Sequence, residues 1–270
     1  MVTDYKPLIL ITNDDGILAP GIQSLIKVAA AFGDLLVIAP DSPQSGQGHA
    51  ITIETPIQIS PVDISPDIEA YECTGTPVDC VKIATNVLLK DRPPDLCLSG
   101  INHGSNASIN ILYSGTMSAA MEASLEGIPS IGFSLLNFSH EADMGPSEII
   151  VRKILQYVLE HRMSDTLLWN VNIPDLPIGE INGIRVVRQA KGNWVEEFQE
   201  GVNPRGRKYY WLTGKFVSLD EGEDTDLAAL EAGYVSIVPS CHDLTHYTAL
   251  DANKKIESIS LTAKIKPDEE

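Results

Sequence analysis

Short apolar runs alternate with amphipathic stretches along the first two thirds of the chain. Residues 7–12, 35–39, 95–100, 130–134 and 167–171 are runs rich in Ile, Leu and Val. Nearly unbroken apolar character fits strands covered on both faces, as in a parallel sheet. The stretches between them predict helices over residues 21–32, 78–89, 116–126 and 147–161. Three of these helices carry start signals. Pro20 can open the first. Thr76-Pro77 sets a hydroxyl before a proline, with Asp79 three residues past the cap. Ser114-Gly115-Thr116 leads into an alanine- and methionine-rich stretch. Such a strand–helix repeat implies right-handed crossovers. It predicts an α/β fold: a Rossmann-like, doubly wound, mostly parallel sheet with helices on both faces.

The texture changes twice. Over residues 50–74, Ile51, Ile53, Ile57 and Ile59 alternate only partly and prolines intervene, which reads as a hairpin-like excursion. After about residue 180 the pattern shifts again. Residues 194–200 and 208–216 flank Asn203-Pro204-Arg205-Gly206 and predict an aromatic β-hairpin able to pack on something else. Residues 224–232 read as a short acidic helix, 234–239 as a strand and 266–270 as a frayed tail. The expected organisation is an α/β core over residues 1–180 and a C-terminal part over 181–270, with the hairpin and a returning helix and strand.

Charge narrows the function classes. Nineteen Lys and Arg against 37 Asp and Glu leave a net charge of −18 in 270 residues. That balance argues against a nucleic-acid partner and against an anionic membrane surface. No apolar run approaches the roughly 18 residues of a membrane span, and no signal peptide is read at the start. Four cysteines (Cys73, Cys80, Cys97, Cys241) are too few for a disulfide scaffold and suit a reducing, cytoplasmic setting.

The first strand runs straight into Asn13-Asp14-Asp15-Gly16. In an open α/β sheet, ligands bind at the carboxyl ends of the strands. Adjacent carboxylates there repel unless a cation lies between them, and a hard divalent ion, Mg²⁺ or Mn²⁺, would resolve the repulsion. The tripeptide alone reads more readily as an Asp-Gly turn with solvated carboxylates. A second feature tips the balance. Lys27 is the only cationic Lys or Arg from Leu8 to Val81, and there is none from Pro93 to Ile150. An anion held by these loops must therefore use a metal or the N–H groups of helix starts.

Other loops can close such a site. Ser45, Gly46 and Gly48 follow the second strand, where a hydroxyl and close backbone approach are available. Asn102 and Asn106 offer amide groups after the third apolar run, and Ser114, Gly115 and Thr116 form a helix start that suits a phosphate and equally a plain cap. His49 and His103 are candidate acid–base groups or structural histidines. Cys241-His242-Asp243 with His246 lacks the partners of a zinc set. Cys73 and Cys80 read as buried apolar residues. The turn after the first strand is not G-x-G-x-x-G, which argues against a nucleotide- or sugar-binding transferase on a Rossmann-like sheet.

Four stretches in order, ILITNDDGILAPGIQSL, VIAPDSPQSGQGHAIT, TGTPVDCV and SGINHGSNASINILYSGTMSAAMEASLEGIPSIGFS, resemble the SurE family of metal-dependent nucleotidases. Weaker similarity continues through NPRGRKYYWLTG and EDTDLAALEAGYVSIVP. The resemblance implies one divalent cation (Mg²⁺ or Mn²⁺) per subunit, held by Asp14, Asp15, Ser45 and Asn102. It implies a phosphate pocket lined by Gly46, Asn106, Ser114, Gly115 and Thr116, with Asp14, Asp15 and Asn106 as catalytic residues. The implied reaction is hydrolysis of nucleoside 5′-monophosphates, extending to 3′-monophosphates and short polyphosphate. A homodimer or homotetramer joined through the C-terminal extension is implied as well. The alternative is a nucleotide-sensing protein that binds without turnover. Two departures stand out. Pro43-Gln44 replace a basic residue common before the serine of the second motif, and Ser108 and Asn110 stand near where relatives carry a glycine and an acid.

Overall fold

Alternate side chains of a strand point to opposite faces, and in β1 (Leu8–Thr12) both directions are apolar. Ile9 and Ile11 face one way and Leu10 the other, all fully buried. The computed structural model describes residues 5–161, 163, 167–195 and 198–259. After β1 come α1 (Pro20–Ala29), β2 (Asp34–Pro40), β3 (Ile59–Pro61), β4 (Glu69–Cys73), α2 (Pro77–Ile83) and β5 (Leu96–His103). Then follow α3 (Gly115–Leu125), β6 (Ser130–Leu135), α4 (Gly145–His161), β7 (Leu168–Ile173) and β8 (Ile184–Val186). The chain continues through β9 (Gly192–Val195), β10 (Phe198–Val202), β11 (Lys208–Leu212) and β12 (Lys215–Ser218). It returns through α5 (Asp226–Glu231), β13 (Val235–Ser240) and α6 (Tyr247–Asn253).

One sheet runs β3-β4-β2-β1-β5-β6-β7-β13-β8. From β4 to β7 every pairing is parallel; β3 and β13 pair antiparallel with β4 and β7. Helices cover both faces. Ile22, Leu25 and Ile26 of α1 and Ile154 and Leu155 of α4 pack with Ile9, Ile11, Leu98 and Phe133 on one side. Cys80 and Val81 of α2 and Ala119 and Ala123 of α3 pack with Leu10, Leu36, Ile38 and Cys97 on the other. Truncating a fully buried ring such as Phe133 in such a core costs roughly 3–5 kcal/mol.

The start signals act as the sequence predicts. Pro20 stands at the first turn of α1. Thr76 and Asp79 form a reciprocal capping box, and Ser114 Oγ accepts the Met117 N–H at 3.0 Å. The second helix ends sooner than its pattern suggests, passing at Ala84 into a wider π-type turn. Residues 50–74 also differ from a free-standing hairpin. Only β3 and β4 pair, and β4 adds to the main sheet beside β2. Ile51 and Ile53 lie outside any strand and are exposed. The three-residue strand β8 had no sequence signal. In the hairpin, β10–β11 and β9–β12 share one register and project as an arm. The 266–270 tail lies outside the described residues.

Candidate functional site

The parallel strands reverse order at β1: β2 lies on one side and β5 on the other. Connections leave in opposite directions there, so a crevice opens at the carboxyl ends of these two strands. The acidic pair sits in it. Asn13 closes the turn on both sides, its Nδ2 donating to the Gly16 carbonyl at 3.0 Å and its Oδ1 accepting the Gly16 N–H at 3.2 Å. Gly16 has φ +103°, a conformation that favours glycine.

Asp14 is buried, with 3 % exposure. Burial, and then the neighbouring charge of Asp15, push its carboxyl up to about 6. The Thr116 hydroxyl donates to Asp14 Oδ1 and opposes that rise. Burial also raises Asp15, against the pull of the His103 backbone and the His140 ring. Asp15 Oδ2 is buried without a hydrogen-bond partner among the described residues. A buried carboxylate oxygen without a donor is costly unless a cation meets it.

The start of α3 presses on the same pair. A Cβ on Gly115 would lie 2.7 Å from Asp14 Cβ and 2.8 Å from its Oδ2, so only glycine fits there. Thr116 Oγ1 lies 3.4 Å from Asn102 Oδ1, and Asn102 Nδ2 is fixed on the Gly104 carbonyl at 2.8 Å. Asp14 after β1, Asn102 at the end of β5 and Thr116 at the start of α3 thus converge. Ser114 Oγ is occupied as a cap.

The loop after β2 is tied to this centre. The Gln44 N–H donates to the Asp14 carbonyl at 2.7 Å, which sets Ser45 and Gly46 beside it; both are exposed. Gly46 has φ +78°, and a Cβ there would meet nothing within 4 Å. The Gly48 N–H donates to the Tyr113 carbonyl at 3.2 Å, and His49 Nε2 lies 2.8 Å from Glu122 Oε2 on α3. Glu122 also pairs with Lys82, so His49 belongs to a hydrogen-bonded cluster that moors the loop.

Asn106 is buried. Its N–H donates to Asn172 Oδ1, its Nδ2 donates to Ser134 Oγ and its carbonyl accepts Asn170 Nδ2, all at 2.8 Å. Sequence reasoning missed Ser134, Asn170 and Asn172. The signal was present: two asparagines at alternate positions in an otherwise apolar strand, beside a serine near the end of the neighbouring strand. The two departures at 108 and 110 are also explained. Ser108 N–H donates to Asp226 Oδ2 at 2.8 Å, and Asn110 Oδ1 accepts Trp194 Nε1 at 2.8 Å. These residues dock the root of the arm against the segment that leads to α3.

His103 Nδ1 lies 2.8 Å from the Ser139 carbonyl, while its buried Nε2 has no partner among the described residues. Cys241 is exposed and Asp243 is taken up by Thr245 and Tyr247. Among the described residues, no three His, Cys, Asp or Glu side chains group to hold a metal. The donors at the crevice are instead two carboxylates with neutral oxygens of Asn102 and, one loop away, Ser45. An all-oxygen set of this kind fits Mg²⁺ or Mn²⁺ rather than zinc.

The family model for Survival protein SurE matches residues 9–196. A protein of Christiangramia forsetii named 5′-nucleotidase SurE is 58 % identical over 242 residues, covering 89 % of this chain and 93 % of that protein. One of Flavobacterium johnsoniae with the same name is 55 % identical over 252 residues, covering 93 % of this chain and 97 % of that protein. The crystal structure of the SurE protein from Aquifex aeolicus superposes with a TM-score of 0.80 at 37 % identity, covering 93 % of this chain and all of that one.

Proposed function

The chain belongs to the SurE family, and on that premise we propose that it is a metal-dependent phosphomonoesterase acting on nucleoside 5′-monophosphates. The observation that carries this reading is Asp15 Oδ2, buried and unpartnered next to a buried Asp14. The names of the close relatives support the substrate class. Asp14, Asp15, Ser45 and Asn102 would hold one divalent cation, Mg²⁺ or Mn²⁺. When bound, that ion offsets the negative charge of the phosphoryl oxygens, a task no lysine or arginine of these loops can perform.

The chain's own groups do the rest. The start of α3 at Ser114, Gly115 and Thr116, with Gly46 opposite, presents backbone N–H groups to the phosphate. The Asn106 side-chain amide, oriented by Ser134 on a backbone whose N–H is tied to Asn172, completes the pocket. A carboxylate of Asp14 or Asp15 orients a water for in-line attack on phosphorus as the ribose oxygen departs. Asp14 is drawn toward its ionised, water-orienting form by the Thr116 hydroxyl. A covalent aspartyl-phosphate is disfavoured, because carboxylates committed to a cation are poor nucleophiles.

The reading extends to 3′-monophosphates and the end of a short polyphosphate, since the proposed contacts of the cation and of the α3 start all fall on the terminal phosphoryl group. The exposed arm, with Tyr209, Tyr210, Trp211 and Leu212, is the proposed contact of a homodimer or homotetramer. The four cysteines are free, which supports a cytoplasmic setting. No helix among the described residues is long and apolar enough to cross a membrane. Release of inorganic phosphate from AMP, with and without Mn²⁺ or Mg²⁺, tests the reading. Release that depends on the ion supports it; tight AMP binding without release would instead identify a nucleotide sensor.

A further inference from the structure

A nucleotide carries a base as well as a phosphate, and the rim of this crevice has no lysine or arginine from Pro93 to Ile150 with which to grip one. It does have an aromatic ring held open to solvent. Phe138, in the loop after β6, is 80 % exposed. The ring is nevertheless seated, since a Cβ on Gly104 would run into its Cδ1 and Cε1 atoms. The carbonyl of that same Gly104 accepts the Asn102 amide at 2.8 Å. Ring and crevice therefore share one turn.

The loop that carries Phe138 is tied at both ends. The Leu136 N–H donates to the Ile173 carbonyl at 2.9 Å, and Asn137 Nδ2 to Asp175 Oδ2 at 2.8 Å. The Ser139 N–H donates to Asn137 Oδ1 at 2.9 Å, and the Ser139 carbonyl meets His103 Nδ1 at 2.8 Å. The His103 and His140 rings stand 5.0 Å apart next to it. A rigidly placed aromatic face loses little entropy when a flat ligand covers it.

We propose that Phe138 is the nucleobase platform of this site: the base stacks on its open face while the phosphate lies at Asp14, Asp15, Asn102 and the start of α3. The proposal rests on the nucleotidase reading above. Stacking tolerates any base. The platform therefore confers preference for nucleotides over phosphate monoesters that lack a base, not choice among bases.

The test compares kcat/KM for AMP and for ribose 5-phosphate, with adenosine as competitive inhibitor, in the wild type, Phe138→Ala, Phe138→Trp and Tyr113→Ala. Tyr113, 51 % exposed, is the rival aromatic just before α3. In Phe138→Ala the ratio of AMP to ribose 5-phosphate should fall roughly tenfold, chiefly through KM, and adenosine should inhibit more weakly by a similar factor. Phe138→Trp should keep the ratio. An unchanged ratio in Phe138→Ala overturns the proposal, as does a loss confined to Tyr113→Ala. A changed oligomer size in Phe138→Ala with an unchanged ratio marks the ring as a subunit contact and overturns it as well. Should the wild type release no phosphate from AMP, the nucleotidase reading fails. Calorimetric binding of adenosine to the same variants then still decides the platform, since equal affinity in wild type and Phe138→Ala rejects it.

Discussion

Asp14 and Asp226 are both buried carboxylates beside a helix start, and their surroundings are opposite. Asp226 is fully buried and accepts three backbone N–H groups, from Ser108 at 2.8 Å and from Ala190 and Leu227 at 2.9 Å. Next to it, Asp220 receives both arms of the Arg188 guanidinium at 2.6 and 2.9 Å, and the N–H groups of Lys191 and Gly222. Those donors hold the Asp220 carboxyl well below its ordinary range. At the crevice the donors are fewer. Asp14 has the Thr116 hydroxyl and an acidic neighbour, and Asp15 Oδ2 has nothing among the described residues. The same fold can satisfy acids completely when their task is to dock the root of the arm. Where it leaves them short of partners, the proposed function supplies the compensating charge as a bound cation.

The contrast can be broken at its functional end first. Asp14→Asn or Asp15→Asn should cut ion-dependent phosphate release from AMP by roughly 10²–10³-fold, as loss of an electrostatic group at a reacting centre does. Circular dichroism should show an intact fold, and wild-type turnover in a purified double mutant would refute the role. At the structural end, Asp226→Ala should cost on the order of 3 kcal/mol in denaturant unfolding, because three buried N–H groups lose their acceptor.

A third variant sharpens the comparison, because one substitution should act in opposite directions on activity and stability. Below about pH 4 the Asp14 carboxyl is protonated in both folded and unfolded chains. As pH rises to about 6, the unfolded chain releases the proton first, so the metal-free fold loses stability across that window. The rise from 3.8 to about 6 corresponds to at most about 3 kcal/mol at neutral pH. Asp14→Asn removes that loss while keeping an oxygen for the Thr116 hydroxyl. Thermal melts in chelator should therefore show the inactive variant more stable than wild type at pH 7 and indistinguishable near pH 4. Mn²⁺ should raise the melting temperature of the wild type and not of the variant. The smallest effect belongs to Arg188→Ala. Its side chain is 44 % exposed, so the substitution should barely move the unfolding midpoint in the same assay.

Both ends of this contrast were unequally legible in the amino-acid order. The crevice could be read because its residues are local punctuation: Asn13-Asp14-Asp15-Gly16 after an apolar run, and Ser114-Gly115-Thr116 before a helix. Strand ends and helix starts are encoded within a few residues of themselves. Asp226 and Arg188 could not be read, since the partners that join them to other segments lie from 32 to 118 residues away. Strand β8 was invisible for a related reason: three exposed residues carry no period of their own and are ordered by pairing with β13. The exposed Ile51 and Ile53 show the converse, a partial local alternation that joins no strand.

The chain order by itself determined that the sheet would be parallel and doubly wound, because buried apolar runs joined by amphipathic helices have few other ways to cover themselves. It also determined that the crevice would hold acids and no bases. Which acids would be satisfied, and which left wanting, was decided only when distant segments met. A hydrogen-bond donor satisfies a carboxylate by proximity in space, and separation along the chain does not encode that proximity.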